Sequence, residues 1–190
     1  NQDKQWGVVS PDGQSIHACW TQCDKYGSEV PGDSTVILCS SSNAEGKVWS
    51  EPVRVSDKAG DCLDGDGTAE GAVPAVGVNG EVYVAWALGP WIYFDKSLDA
   101  GRTWSEEDRI VADIVGGWAQ NIDGIGRVNG MPVTVVDKSN GPHRGRIYIN
   151  WTDTRNGDSD VWRTHSDDGG ATWSPTQRLN TAGPDRDQFL

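Results

Sequence analysis

The sequence has little of what helical, membrane-spanning or nucleic-acid-binding proteins need. Only two of its 190 residues are Phe and one is Met, and no segment repeats apolar residues at the i, i+3, i+4 and i+7 spacing of an amphipathic helix. No apolar run approaches the roughly 20 residues that cross a bilayer. The formal net charge of −12 leaves no basic surface for nucleic acid. We therefore expect almost no helix, no membrane insertion and no nucleic-acid partner.

What the chain does contain is a threefold repeat of short alternating segments rich in Trp and Gly. The segments "SIHACW" (15–20), "EVYVAW" (81–86) and "RIYINW" (146–151) each end on Trp. Each follows an apolar strand with a Gly-containing turn and precedes two further strands. The sequence therefore predicts an all-β protein with three units of four antiparallel strands.

An eight-residue turn recurs between the third and fourth predicted strands. It reads "SLDAGRTW" at 97–104 and "SDDGGATW" at 166–173, and a degenerate copy at 42–49 has Ala44 in place of the Asp. The pattern resembles the Asp box of the sialidase-like (BNR repeat) β-propellers. The resemblance implies a sialidase-like propeller of four-stranded blades and a structural role for the turn, with ligands bound on the opposite face. The box residues are Ser97, Asp99, Gly101, Thr103, Trp104, Ser166, Asp168, Gly170, Thr172 and Trp173.

The repeat divides the chain into blades. We place blade 1 at 1–61, blade 2 at 62–118 and blade 3 at 119–184, and we expect 185–190 to be the first strand of a further blade. The resemblance implies a ring of six blades, of which these three are half. The remaining blades are expected from the same protein or from a second copy of the chain.

The connection between blades 1 and 2, "DKAGDCLDGDGTAEGA", is strongly acidic. Asp61, Asp64 and Asp66 lie beside glycines, as suits a Ca²⁺ ion, although the spacing is not that of an EF-hand. Asp64, Asp66 and Glu70 are alternatively candidates for a catalytic acid or base. A solvated acidic loop is the third interpretation.

Candidate ligand contacts come from three residue types, Trp, Arg and Asp. Trp91 and Trp118 lie in or beside loops, where an indole can stack on a sugar ring or simply pack. Arg155 could clamp a carboxylate or pair with Asp153 or Asp158. The candidate ligand-binding residues are Trp91, Trp118, Arg127, Asp153, Arg155 and Arg186.

The resemblance also implies a catalytic pattern, from which this sequence departs. A sialidase-like hydrolase uses an Arg triad, a Tyr nucleophile activated by Glu, and an Asp acid/base. Here no Arg-Ile-Pro segment is present, and Tyr26 is the only Tyr placed like a catalytic one. We therefore expect a propeller segment that binds or acts on glycans without independent catalysis. The alternatives are part of an exo-glycosidase whose remaining blades are missing, and an assembly module with open blade flanks.

Four Cys residues lie in the first third of the chain. Their even number favours an oxidising compartment, so we expect a secreted or cell-surface protein. A bridge from Cys62 to either Cys19 or Cys23 is compatible with the predicted topology. Cys39 is placed near the opposite end of its strand and is not expected to join a bridge.

Overall fold

The computed structural model describes residues 1–189, which form strands and no helix. Twelve of the fourteen strands form three four-stranded sheets, and we name these sheets blades 1, 2 and 3. Blade 1 contains β1 (Gln2–Val9), β2 (Ser15–Cys23), β3 (Thr35–Asn43) and β4 (Val53–Arg54). Blade 2 contains β5 (Glu70–Val76), β6 (Val82–Leu88), β7 (Trp91–Ser97) and β8 (Arg109–Asp113). Blade 3 contains β11 (Val133–Val136), β12 (Ile147–Asp153), β13 (Asp160–Ser166) and β14 (Gln177–Arg178). A separate hairpin pairs β9 (Ala119–Ile122) with β10 (Ile125–Asn129).

Each blade is an antiparallel meander in which strands pair in chain order, as the repeat predicts. The first strands of successive blades lie side by side, since β1 contacts β5 and β5 contacts β11. Residues 185–189 form no strand, and Leu190 lies outside the described residues. The strand expected at 185–190 is therefore absent from the described part of that segment.

The core lies between the blades because each strand turns alternate side chains toward a neighbouring sheet. Trp86 and Trp151, at the ends of two repeated segments, are almost fully buried there. Between blades 1 and 2 the core includes Cys19, Ile37, Cys39, Val84, Trp86 and Tyr93. Between blades 2 and 3 it includes Ala85, Phe94, Ile147, Ile149, Trp151 and Trp162.

The turns at 97–104 and 166–173 have the same hydrogen bonds, and we call the face that carries them the turn face. In the first, Asp99 accepts the backbone N–H of Thr103 at 2.8 Å, and the Ser97 and Thr103 hydroxyls each donate to it at 2.7 Å. These bonds lower the pKa of Asp99 to about 2 because they favour the charged carboxylate. Asp168 is held in the same way. Both turns thus stabilise the chain reversal internally.

Two disulfides are present, Cys19–Cys39 and Cys23–Cys62. The expectation that Cys39 stays unbridged is wrong. The β2–β3 register places Cys39 directly opposite Cys19, with their Cα atoms 4.1 Å apart. Facing positions on neighbouring antiparallel strands lie close enough to bridge, so position along one strand was the wrong criterion. Two disulfides are typical of an oxidising environment. Among residues 1–189 no helix is long and apolar enough to cross a membrane.

Candidate functional site

The face opposite the repeated turns carries the β2–β3 loop, the connections between blades and the β9–β10 hairpin. We call it the loop face. In a four-stranded meander the first and third turns share one face, and the remaining connections share the other. The strands thus separate the repeated turns from most of the acidic 57–70 connection. Loops held by a rigid sheet scaffold are common positions for binding residues.

Tyr26, Asp64 and Arg127 meet on this face from three separate segments. The Tyr26 hydroxyl donates to Asp64 Oδ2 at 2.5 Å. Arg127 Nη2 donates to both Asp64 oxygens at 2.7 Å. The hydrogen bond to Asp64 raises the pKa of Tyr26, and desolvation and the charge of Asp64 add to that shift. Asp64 is largely buried, whereas Tyr26 and Arg127 are half or more exposed.

A second group, centred on Lys4, adjoins the first. The Lys4 ammonium pairs with Glu70, lies 3.0 Å from Asp3 and approaches Asp64 to 4.0 Å. It also lies 5.7 Å from the centre of the Trp118 ring, within cation–π range. Lys4 adopts a φ of 51° where the β1–β2 register shifts, so an irregularity in the first strand positions this side chain.

Glu70 begins the first strand of blade 2 and is only 2% exposed. Burial raises its pKa, and the bond and charge from Lys4 oppose that shift only in part. Burial alone would lower the pKa of Lys4, but its bonds to Glu70 and Asp3 outweigh burial and raise it. Lys4 therefore offsets part of the cost of ionising Glu70 inside the fold. We call Asp3, Lys4, Tyr26, Asp64, Glu70 and Arg127 the central cluster.

Two cavities open beside the central cluster, and Asp64 lines both. The first, of about 170 Å³, is also lined by Tyr26, Glu70 and Cys62. The second, of about 340 Å³, is also lined by Trp118 and Arg127. The cluster therefore faces space that a small polar ligand can enter.

A wider groove of about 550 Å³ runs beside these cavities and includes Trp91. Trp91 is 41% exposed. Gly116 and Gly117 line the groove with backbone only, both at positive φ, and the carboxylates of Asp66 and Asp113 belong to the same lining. Asp66 of this groove accepts the backbone N–H of Ala119, which lines the second cavity, so the groove and that cavity adjoin. We call this groove the Trp91 groove.

Trp118 and Asp66, both proposed from the sequence, already have partners within the protein. Trp118 is 2% exposed and donates to the Thr68 carbonyl, because packing between blades covers the indole. Its expected role as an exposed stacking surface is therefore wrong. Asp66 accepts the backbone N–H of Ala119 at 2.9 Å and anchors the neighbouring connection.

Asp153 and Arg155 form an internal pair, as one of the two alternatives predicted. Asp153 is fully buried and accepts from Arg155 Nε at 2.9 Å, so its expected role as a ligand contact is wrong. The Arg155 guanidinium also lies 4.6 Å from the centre of the Trp162 ring. Arg186 is exposed, on the separate 185–189 segment, and its backbone N–H donates to Asp158.

The calcium site expected at Asp61, Asp64 and Asp66 is not assembled. Asp61 accepts from the Thr68 hydroxyl at 2.7 Å, while Asp64 and Asp66 have the separate partners described above. Within residues 1–189 no three His, Cys, Asp or Glu side chains are grouped so that they could hold a metal ion. The acidic connection is instead ordered by its own hydrogen bonds.

Sequence reasoning placed Tyr26, Asp64, Glu70 and Arg127 among the candidates separately but missed Asp3 and Lys4. A signal was present, since a charged pair inside an otherwise regular first strand is unusual. The β9–β10 hairpin that carries Arg127 was also not predicted from the sequence. Its turn is Asp123-Gly124, with Gly124 at a φ of 84°, and Asp-Gly is a strong hairpin former.

Three antiparallel four-stranded sheets with adjacent first strands are the arrangement of successive blades in a β-propeller. The structure of an α-L-arabinanase from Penicillium chrysogenum matches 95% of this chain with a TM-score of 0.59 and 22% identity. The NanB sialidase from Streptococcus pneumoniae matches 94% with a TM-score of 0.58 and 10% identity. An α-L-arabinofuranosidase from Fusarium graminearum matches 93% with a TM-score of 0.58 and 16% identity.

At these identities the matches show the fold alone. The chain spans between 39% and 50% of the length of the three matched proteins. No protein-family model matches the chain.

Proposed function

We propose that the chain supplies part of a glycan-binding site, with the central cluster as its contact surface. The observation that carries this proposal is the convergence of Tyr26, Asp64, Arg127 and Lys4 from four separate segments beside two cavities. Sugar hydroxyls need both donors and acceptors, which the cluster provides. The fold adds support, because the matched propellers include enzymes whose names state action on arabinose polymers and sialosides.

An extracellular location fits the proposal, since a disulfide lines the smaller cavity. We also propose that the protein is secreted or attached to the cell surface. We propose further that blades from the same protein or from a second copy of the chain complete the propeller.

Isothermal titration with arabinobiose, lactose and 3′-sialyllactose tests the proposal. We expect the chain to bind at least one of these probes. Tyr26→Phe and Arg127→Gln should each weaken that binding by about tenfold, as expected when a hydrogen-bonding partner in the site is lost. Arg144→Gln is the matched control, because Arg144 is an exposed arginine in the turn-face loop between β11 and β12. Failure to bind any probe, or equal losses in the control, would contradict the proposal.

Hydrolysis is a second candidate function, favoured by Glu70. This carboxyl is buried, its pKa is raised, and it shares Lys4 with Asp64. A carboxyl with a raised pKa can act as a general acid. The measurement is release of 4-methylumbelliferone from its arabinofuranoside or sialoside. Activity lost in Glu70→Gln with glycan binding retained would support this role, and activity unchanged in that variant would exclude Glu70.

A further inference from the structure

The cationic side chains around the central cluster are already paired with carboxylates. Arg127 directs one nitrogen to both oxygens of Asp64. Lys4 is held by Glu70 and Asp3. Recognition of a sugar carboxylate usually relies on a guanidinium that is free to make two parallel hydrogen bonds. At this site one of the three Arg127 nitrogens is already bonded to Asp64, which weakens any contact of that guanidinium with a sugar carboxylate.

The charge around the cluster disfavours an anion further. Three carboxylates, of Asp3, Asp64 and Glu70, surround two cations, and the whole chain carries a net charge of −12. An incoming carboxylate would meet like charge at close range and along its approach. The same carboxylates favour sugar hydroxyl groups, because each carboxylate oxygen is a strong acceptor for an O–H donor.

The Trp91 groove adds a surface suited to an uncharged ring. The exposed side chains of Trp91 and Val115, with Pro90, give the groove an apolar lining, and Gly116 and Gly117 leave it open because they have no side chain. The carboxylates of Asp66 and Asp113 belong to the same lining and can accept sugar hydroxyls. A sugar ring offers apolar C–H faces to the indole and hydroxyls at its edge.

We infer that the site selects uncharged oligosaccharides over carboxylated sugars, and that the Trp91 groove holds a second sugar unit beside the one at the central cluster. This inference rests on the proposed glycan-binding function. It identifies the substrate class as a neutral glycan of at least two units.

The first test compares neutral and acidic probes on the wild-type chain by titration calorimetry. Arabinobiose or lactose should bind at least about tenfold more tightly than 3′-sialyllactose, in keeping with a like-charge penalty at the site. Equal or tighter binding of 3′-sialyllactose would overturn the neutral selectivity and leave glycan binding intact. Binding of none of the probes would overturn the glycan-binding function and this inference together.

Removing the negative charge of Asp64 tests whether the Asp64–Arg127 pair causes the selectivity. Asp64→Asn frees the Arg127 guanidinium and removes one negative charge, so 3′-sialyllactose should bind about tenfold more tightly than it binds the wild type. Asp167→Asn is the matched control, because it frees Arg146 from an equivalent two-bond pair on the turn face. Unchanged affinity in Asp64→Asn, or an equal gain in Asp167→Asn, would overturn the assignment of selectivity to the Asp64–Arg127 pair.

The second sugar position is tested with a longer probe. Trp91→Ala should weaken arabinotriose binding by about tenfold, and Trp91→Phe should retain most of the affinity because an aromatic face remains. Trp49→Ala is the control, since Trp49 is similarly exposed (42%) but lies in the degenerate turn at 42–49. Arabinotriose affinity unchanged in Trp91→Ala would overturn the second-unit assignment.

Discussion

At the residue scale, the carboxylate of Asp108 is partly buried and only partly hydrogen-bonded, which lowers the stability of the fold when this group is ionised. Its Oδ2 accepts the backbone N–H of Asp57 at 2.8 Å. Asp57 Oδ2 in turn accepts the backbone N–H of Asp108 at 2.8 Å. Asp108 Oδ1 is buried and has no hydrogen-bond partner among residues 1–189. Burial raises the pKa of Asp108 to about 7, and the charges of Asp57 and Asp95 add to the shift.

The raised pKa of Asp108 predicts how the stability of the fold depends on pH. Because the folded state holds the proton more tightly than the unfolded state, the free energy of unfolding falls as pH rises from about 4 to about 7. Asp108→Asn stays neutral and should stabilise the chain at pH 8 by about 1–2 kcal/mol, with little effect at pH 4. Urea unfolding at both pH values measures this. Glu106→Gln, an exposed neighbour, serves as the control, and an equal gain at both pH values would contradict the account.

A second residue-scale prediction concerns Gly170 in the repeated turn of blade 3. Gly170 has a φ of 83°, and a Cβ there would overlap the ring of Phe94 in the core between blades 2 and 3. Gly170→Ala should lower the free energy of unfolding by about 1–3 kcal/mol through overpacking, in addition to backbone strain. Gly157→Ala supplies the control, because Gly157 also has positive φ but a Cβ there meets open space. Equal losses in the two variants would show that the Phe94 contact adds nothing.

At the element scale, the two disulfides connect different parts of the fold. Cys19–Cys39 joins adjacent strands inside blade 1, whereas Cys23–Cys62 ties the acidic connection to the end of β2. Tyr26 follows Cys23 by three residues and Asp64 follows Cys62 by two. The second disulfide therefore holds the two partners of the Tyr26–Asp64 hydrogen bond in place.

The third prediction compares the two bridges. Replacing either pair by Ser should destabilise the chain by about 3–4 kcal/mol, since both close loops of tens of residues in the unfolded chain. Only the Cys23→Ser/Cys62→Ser variant should also raise amide exchange rates across 60–70 and weaken glycan binding. Hydrogen exchange and titration calorimetry measure these effects. Equal exchange rates at 60–70 in the two double variants would contradict a positioning role.

The elements show what the sequence could and could not predict. Alternating apolar segments, Gly turns and the eight-residue repeat predicted three antiparallel blades, because these signals are local. The burial of Trp118 and the Cys19–Cys39 bridge were missed because they depend on packing between blades and on strand register. Tyr26, Asp64 and Arg127 were each named as candidates, but their meeting depends on contacts across 38 and 63 residues.

At the scale of the whole molecule, the repeated turns and the candidate binding site lie at opposite ends of the strands. The turn face carries repeated turns whose polar groups satisfy one another. The loop face carries the central cluster, its cavities and the Trp91 groove.

The most direct test of this arrangement is an NMR titration of the ¹⁵N-labelled chain with arabinobiose. We predict chemical-shift changes concentrated at 2–4, 24–28, 62–70, 89–91 and 113–129, on the loop face. We also predict that the repeated turns at 97–104 and 166–173 remain unchanged. Shifts centred on those turns, or no shifts at all at saturating arabinobiose, would contradict the assignment of the central cluster as a glycan site.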